Sequence, residues 1–383
     1  MFTKNINFKN FNIKKSNKLI KKDLKLLLKE NSEIIRSLSK SYKYNYEKKT
    51  IKKIKNFLNL KIIGMGGSTL GAESIYSFLK DKIKKKFTFI NNLNSNIDIL
   101  KNKKEFNLII SKSGNTLETI VNSNILINSK NNLIITENRN SYLFLLAKKL
   151  KTEIVSHNNF IGGRYSVLSE VGMLPAELMG LNVNKFKQLN SLIKNKNYIN
   201  LLTLNVANVI HFIKQKKYNS IIINYDQKSE DLFKWYQQLV AESLGKNGQG
   251  VLPIISTMPK DNHSVMQLYL DGPRNNFFTF FNVKEKKSNK IINEKIFSTH
   301  NYLKGKNIDQ IISSQKKATE QVFIKKKIPF RSFDVLERDE KSLGELFCFF
   351  ILETILIGRA LNINPYDQPA VEMIKKETKK MLI

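Results

Sequence analysis

The chain is poor in everything that would mark an exported, disulfide-stapled or metal-bearing protein. It has one cysteine in 383 residues, so an internal disulfide is excluded. Cys348 sits in the apolar run LFCFFILETILIG, which reads as core packing in a reducing compartment, with the cytoplasm as the expected location. Four histidines, His157, His211, His263 and His300, lack the spacing of metal ligands, and no metal is expected. The opening residues MFTKNINFKNFNIKKSNK carry charge but no apolar core with a small-residue cleavage site, so no secretion signal is read there. The longest apolar stretch, 346–357, is too short for a bilayer and contains Glu353, so it reads as a buried helix and no membrane partner is expected.

Arginine is scarce as well. Of 65 basic residues only Arg36, Arg139, Arg164, Arg274, Arg331, Arg338 and Arg359 are arginine, while the formal net charge is +33. Base reading and bidentate phosphate clamping favour arginine, with aromatic platforms among the cations. Here lysine is scattered with Asn and Ile through almost every segment, so no nucleic-acid partner is expected. A basic surface still speeds encounter with a small anionic substrate, in a salt-dependent way.

What is present is ample core material, 41% hydrophobic residues, enough for two domains. Residues 1–50 place Leu and Ile at helical spacing and read as an N-terminal helical segment. From about 59 a strand, a glycine turn and a helix follow one another: NLKIIG, MGGST, LGAESIYSFLKD. FNLIIS leading to a helix from Leu117 and NNLIIT leading to YLFLLAKKL repeat the pattern, which argues for a parallel α/β sheet over 51–195. SIIINYD, DLFKWYQQLVAESLG, GVLPIIST and DNHSVMQLYLDG make a second set over 196–345. The expected fold is therefore α/β: two tandem three-layer αβα domains with mainly parallel sheets. A C-terminal helical segment, 346–383, closes the chain.

Four stretches gather small and polar residues at turns or helix ends: GMGGSTLG (64–71), SKSGNTLET (111–119), GGRYSVLSEVGMLP (162–175) and QLVAESLGKNGQG (238–250). In the second, Ser111, Ser113 and Thr116 stand with Lys112 and Gly114 at a strand-to-helix junction, a setting that suits a phosphate. An N-capped helix after a polar turn accounts for the same residues. The glycines of the first stretch are spaced GxGG rather than GxGxxG, so a nicotinamide cofactor is rejected. Gln238 and Glu242, four apart, share a helix face; a surface glutamate is the plain alternative. His263 follows Asp261 at a helix start, where an imidazole can serve as acid or base. Arg164, between glycine and tyrosine in a chain that otherwise uses lysine, points to a required planar cation or to packing.

These stretches, together with DNHSVMQLYLDGP and NPYDQPAVEMIKK and in this order, resemble the glucose-6-phosphate isomerase (phosphoglucose isomerase) family over roughly residues 60–380. The resemblance implies two sugar-isomerase domains of the SIS type, a homodimer, and no metal or organic cofactor. It puts the phosphate cradle on Ser111, Lys112, Ser113 and Thr116, with Ser68 near the sugar and Gln368 closing over the phosphate. It makes Glu242 the base, His263 and Lys375 the ring-opening residues and Arg164 the charge stabiliser, with Gln238 alongside and His263 reaching the neighbouring subunit's site. The implied reaction is the interconversion of glucose 6-phosphate and fructose 6-phosphate through a cis-enediol. Two departures stand out. The chain is short for the family, and Met373 and Ile374 precede Lys375 and Lys376 where many relatives have a glycine, so Lys375 is chosen by its spacing from Gln368. Mannose 6-phosphate isomerisation, or sugar-phosphate or nucleic-acid binding without catalysis, are the competing readings.

Overall fold

In a computed structural model, which describes residues 2–13, 15–95, 105–127 and 130–383, the chain begins with a short strand, β1 (Ile6–Lys9), and helices α1 (Lys18–Glu30), α2 (Glu33–Ser37) and α3 (Lys48–Ile54). The first α/β unit contains β2 (Asn59–Gly64), α4 (Leu70–Phe78), β3 (Lys86–Ile90), β4 (Glu105–Ile110), α5 (Leu117–Leu126), β5 (Asn132–Thr136), α6 (Tyr142–Lys149) and β6 (Glu153–Ser156). Helices α7 (Glu170–Leu178), α8 (Leu189–Leu192) and α9 (Lys196–Lys214) lead on. The second unit contains β7 (Asn219–Asn224), α10 (Glu230–Leu244), β8 (Leu252–Thr257), α11 (Met266–Asp271), β9 (Asn276–Val283), α12 (Ile308–Lys325) and β10 (Phe330–Val335). Two helices finish the chain, α13 (Glu340–Ala360) and α14 (Pro369–Met381).

The strands are nearly unbroken apolar runs because both faces are covered: all five residues of β5 are buried, as are five of the six in β7. Helix starts follow the local chemistry. Asn195 caps α9 through the Asn197 and Tyr198 amides, Asn307 forms a reciprocal capping box with Gln310, and Asp339 accepts from the Ser342 amide at 2.8 Å. The apolar stretch around Cys348 lies within α13, almost wholly buried, and no helix among the described residues is long and apolar enough to cross a membrane.

The first sheet has the order β3-β2-β4-β5-β6, all parallel. The second has the order β1-β10-β9-β7-β8, parallel except for β1, which runs antiparallel to β10 with Ile6 opposite Val335. The N-terminal segment is thus not purely helical, as the sequence suggested: four of its residues, alternately buried and exposed, close the far edge of the second sheet. In the first sheet the chain steps from β2 to one side and then crosses to β4 on the other. The crevice at such a reversal lies at the C-terminal ends of those two strands. GMGGSTLG follows β2 and SKSGNTLET follows β4, so topology alone brings both stretches to one place.

The two units meet through α4 and α10, which pack antiparallel. Ser77 near the end of α4 hydrogen-bonds Asp231 near the start of α10, and Gly66, in the turn just ahead of α4, lies against Gln238 toward the end of α10. Helix α10 is anchored from behind by a buried ion pair between Arg331 and Glu353, joined by Asn205 and by the Tyr236 hydroxyl of α10 itself. Such a pair brings little net stability but fixes geometry when every donor is met.

Candidate active site

Gly67 and Arg164 bring the first and third stretches into backbone contact. A Cβ on Gly67 would lie 2.1 Å from the Gly163 carbonyl carbon and 2.5 Å from the Arg164 nitrogen, so only glycine allows this approach. The contact seats Arg164 at the crevice with a side chain only 2% exposed.

Every arm of that guanidinium is used. Nε donates to Ser243 Oγ at 2.8 Å, Nη1 to Glu242 Oε1 at 3.0 Å and to Gln368 Oε1 at 2.8 Å, and Nη2 to the Pro365 and Asp367 carbonyls at 2.8 and 3.0 Å. The other carboxylate oxygen of Glu242, Oε2, accepts from Gln238 Nε2 at 2.9 Å, as the four-residue spacing on α10 foretold. Glu242 is therefore oriented from both sides while its side chain stays about a quarter exposed, at 24%. Gln238 Oε1 is buried and has no partner among the described residues, an acceptor waiting for a donor at this point.

At the second stretch, Ser111 Oγ and Thr116 Oγ1 lie 2.9 Å apart and the Asn115 amide donates to Ser113 Oγ at 3.2 Å. Thr116 makes no side-chain cap on α5, which leaves its hydroxyl turned to Ser111 rather than spent on the helix start. Gly114 carries a φ of +67°, and a Cβ there would meet Ser141 Oγ at 2.2 Å. The Lys112 ammonium donates to the Asn159 carbonyl at 2.8 Å and lies 3.7 Å from Glu137. Burial pushes its pKa down, opposed by Glu137 and reinforced by Arg139 and Arg164, so this cation is near enough to Arg164 to feel its charge. Ser68 closes the short helical turn Gly66–Ser68 ahead of α4, half-buried beside Gly64.

Two expected residues are not brought to Glu242. His263 is exposed in the turn Lys260–His263 after β8, whereas Glu242 lies at the end of α10, which leads into the start of β8. The six residues of β8 separate the two by about 20 Å along the strand, at roughly 3.3 Å per residue. Asp261 bonds back to the Thr257 amide at 2.8 Å and to Ser264 Oγ at 3.1 Å, a structural role that leaves the imidazole to solvent. Lys375 pairs with Glu372 on α14 at 2.6 Å and is 61% exposed. No residue of α14 is buried.

Sequence reading missed a group of clamping residues. Tyr165 Oη bonds Ser243 Oγ and the Pro365 carbonyl, and Lys246 pairs with Asp367 at 2.7 Å and also donates to the Asn364 carbonyl. With Arg164 they pin the turn 364–368 to the end of α10. Lys246 lay in plain sight in AESLGKNGQG, but its partners, a carboxylate and a backbone oxygen, are over a hundred residues away, which no local pattern reveals. A cavity of about 640 Å³ opens beside Glu242, bordered by 245–249 on one side and Asp367–Val371 on the other. No cluster of potential metal ligands occurs among the described residues.

Comparison with known proteins identifies the family and the fold. The family model described as phosphoglucose isomerase matches residues 13–382. The chain is 32% identical over 349 residues to the glucose-6-phosphate isomerase of Methanocaldococcus jannaschii, covering 85% of this chain and 84% of the relative. A hypothetical protein of Thermus thermophilus superposes with a TM-score of 0.81 at 20% identity, covering 95% of this chain and 94% of that one. A glucose-6-phosphate isomerase of Chlamydia trachomatis does so at 0.72 and 16% identity, covering 98% and 80%. The structural likenesses carry the fold, and the family match, running over nearly the whole chain, carries the kinship: the chain belongs to the phosphoglucose isomerase family.

Proposed function

We propose that this protein interconverts D-glucose 6-phosphate and D-fructose 6-phosphate with Glu242 as the proton-transferring base. The observation that carries the reading is Glu242 held between Arg164 and Gln238 at the end of α10, beside a crevice that also receives the hydroxyl-rich turn after β4. The phosphate binds at Ser111, Lys112, Ser113 and Thr116, with Ser68 near the sugar, and its remote binding energy holds the open chain in register. Glu242 takes the proton from carbon two and returns it to carbon one through a cis-enediol. Arg164 stabilises the negative charge that develops on the enediol oxygens. Gln238 Oε1, unpartnered in the free protein, accepts from a sugar hydroxyl. The reaction needs no cofactor. A coupled spectrophotometric assay of fructose 6-phosphate conversion tests the whole reading, and an absence of turnover would sink it. The proposal places the enzyme in the cytoplasm, in glycolysis and gluconeogenesis, with domains at 51–195 and 196–345 and terminal segments at 1–50 and 346–383.

Ring opening is assigned to His263 and Lys375, the former reaching the site of a second subunit in a homodimer. The separation of His263 from Glu242 within one chain supports this, since no local shift spans the length of β8. Mixing Glu242→Gln with His263→Ala, each inactive alone, is expected to restore about a quarter of normal activity. Random pairing makes half the dimers mixed, and each mixed dimer has one intact site of two. No recovery after subunit exchange would place the histidine elsewhere. A smaller effect is expected at the clamp: Lys246→Met frees the turn that carries Gln368, raising KM for fructose 6-phosphate about tenfold, the worth of one charged hydrogen bond, with kcat within about twofold. An unchanged KM would show that the turn holds without it.

A further inference from the structure

We propose that Ser243 and Tyr165 are positioning residues for the isomerisation: their hydroxyls close a hydrogen-bond ring on the Arg164 guanidinium that leaves only its Nη1 edge to the reacting sugar. The ring stands on geometry alone, while its catalytic meaning rests on the reaction proposed above.

The direction of each bond follows from counting protons. The Pro365 carbonyl can only accept, so the Tyr165 hydroxyl donates its single proton there, at 3.0 Å. With that proton spent, the 2.8 Å bond between Tyr165 Oη and Ser243 Oγ is donated by the serine. Ser243 Oγ in turn accepts the Arg164 Nε–H at 2.8 Å. Arg164 Nη2 closes the ring by donating to the same Pro365 carbonyl, also at 2.8 Å. A helical serine commonly donates back to the carbonyl one turn earlier; Ser243 donates across to Tyr165 instead.

Burial protects this arrangement. Ser243 and Tyr165 are 0% exposed and Pro365 is buried, so bulk water has no access to the ring, and in such a setting each bond polarises the next. Burial also pushes the Tyr165 phenol up to about 12, against the pull of Arg164. The phenol therefore keeps, through the neutral range, the proton that the ring requires.

The consequence lies in the donors that remain. A guanidinium has five N–H groups. The ring uses Nε and one proton of Nη2, the second Nη2 proton goes to the Asp367 carbonyl, and the two Nη1 protons go to Glu242 and Gln368. Ser243 follows Glu242 on α10, so the arginine grips the helix of the base at two consecutive residues. No donor is spare for a developing enediolate. Withdrawing Nε or Nη2 would strand buried partners, whereas Gln368 borders the cavity beside Glu242 and can turn aside. A sugar oxygen thus reaches Arg164 by taking the Nη1 proton that Gln368 holds in the free protein.

The test is nitrogen-15 NMR of the arginine side chains, of which the chain has only seven. The Arg164 Nε–H signal is identified by its absence from Arg164→Lys. Arg331, 1% exposed and with Nε donating to Thr279 at 2.9 Å, reports on the fold as a whole. Ser243→Ala and Tyr165→Phe are each expected to speed solvent exchange of the Arg164 Nε–H at least about tenfold, with exchange at Arg331 unchanged. In the wild type, saturating fructose 6-phosphate is expected to shift the Arg164 Nη1 protons and to leave the Nε–H slow to exchange. In parallel, kcat is expected to fall about tenfold in Ser243→Ala, the worth of a charged hydrogen bond, and about fivefold in Tyr165→Phe, that of a neutral one, with KM within about twofold. Unchanged exchange at Arg164 in both variants, equal acceleration at Arg331, loss of Nε–H protection when the sugar binds, or faster exchange with kcat untouched would each overturn the proposal. A wild type that shows the protected ring but does not turn over fructose 6-phosphate would instead refute the proposed reaction, because the ring is read without it.

Discussion

Glu242→Gln is expected to lower kcat for sugar-phosphate isomerisation by about 100- to 10,000-fold, the usual worth of a positioned acid or base, while leaving binding of the substrate nearly intact. The geometry makes this a clean substitution. The amide has the shape of the carboxylate and keeps an oxygen toward Arg164 Nη1, which now donates to Glu242 Oε1 at 3.0 Å. The new N–H would face Gln238 Nε2, but the Gln238 amide has an unpartnered Oε1 and meets it by turning over. The site therefore stays assembled while the group that carries the proton is gone. Loss confined to kcat, with fructose 6-phosphate still binding in equilibrium titration, is the expected pattern. Exchange of the carbon-two hydrogen with solvent deuterium should vanish in parallel. Turnover within about tenfold of wild type would remove Glu242 from the chemistry.

Much of this arrangement was written in local sequence. The strands ending at Gly64 and Ile110 are followed by glycine- and hydroxyl-rich turns, and a parallel α/β pattern delivers such turns to one edge of a sheet. The shared face of Gln238 and Glu242 follows from helical spacing and is realised as a 2.9 Å hydrogen bond. What local pattern did not reveal was mostly non-local. INFK alternates over only four residues and becomes a strand because β10 offers an open edge at the far end of the chain. KFTFI and NFFTFFNV have strand-forming residues, but one follows a lysine run and the other sets its phenylalanines in pairs without alternation, so neither shows the turn-and-helix rhythm that marked the rest. The 19-residue α9, lodged in Lys- and Asn-rich sequence, is held by its Asn195 cap and by burial of Leu202, Val206, Val209 and Phe212. At the site, Tyr165 and Lys246 act on backbone oxygens of a distant turn, and Ser243 holds the Arg164 and Tyr165 side chains. A residue's hunger for a particular carbonyl leaves no mark on its neighbours in sequence.

Arg164→Ala is expected to be the most damaging change outside Glu242, lowering kcat about 100- to 1,000-fold, the usual loss when a preorganised group facing developing charge is removed. Two separate functions fail together. On the proposed mechanism the enediol loses a fixed cation, and five hydrogen bonds joining Ser243, Glu242, Gln368 and the Pro365 and Asp367 carbonyls are lost at once. Lysine should rescue little. Its single ammonium on a flexible stem cannot meet five acceptors arranged around a planar fork, and with the side chain 2% exposed no water layer replaces the missing donors. The two functions separate by chemical rescue. Added guanidinium ion fits the space left by Arg164→Ala and is expected to restore part of kcat, because the charge returns to the enediol oxygens. Methylammonium, with the charge but not the fork, should restore much less. Equal rescue by both would mean that charge alone matters, and an Arg164→Ala variant within about tenfold of wild-type kcat would reduce this arginine to a clamp on the 364–368 turn.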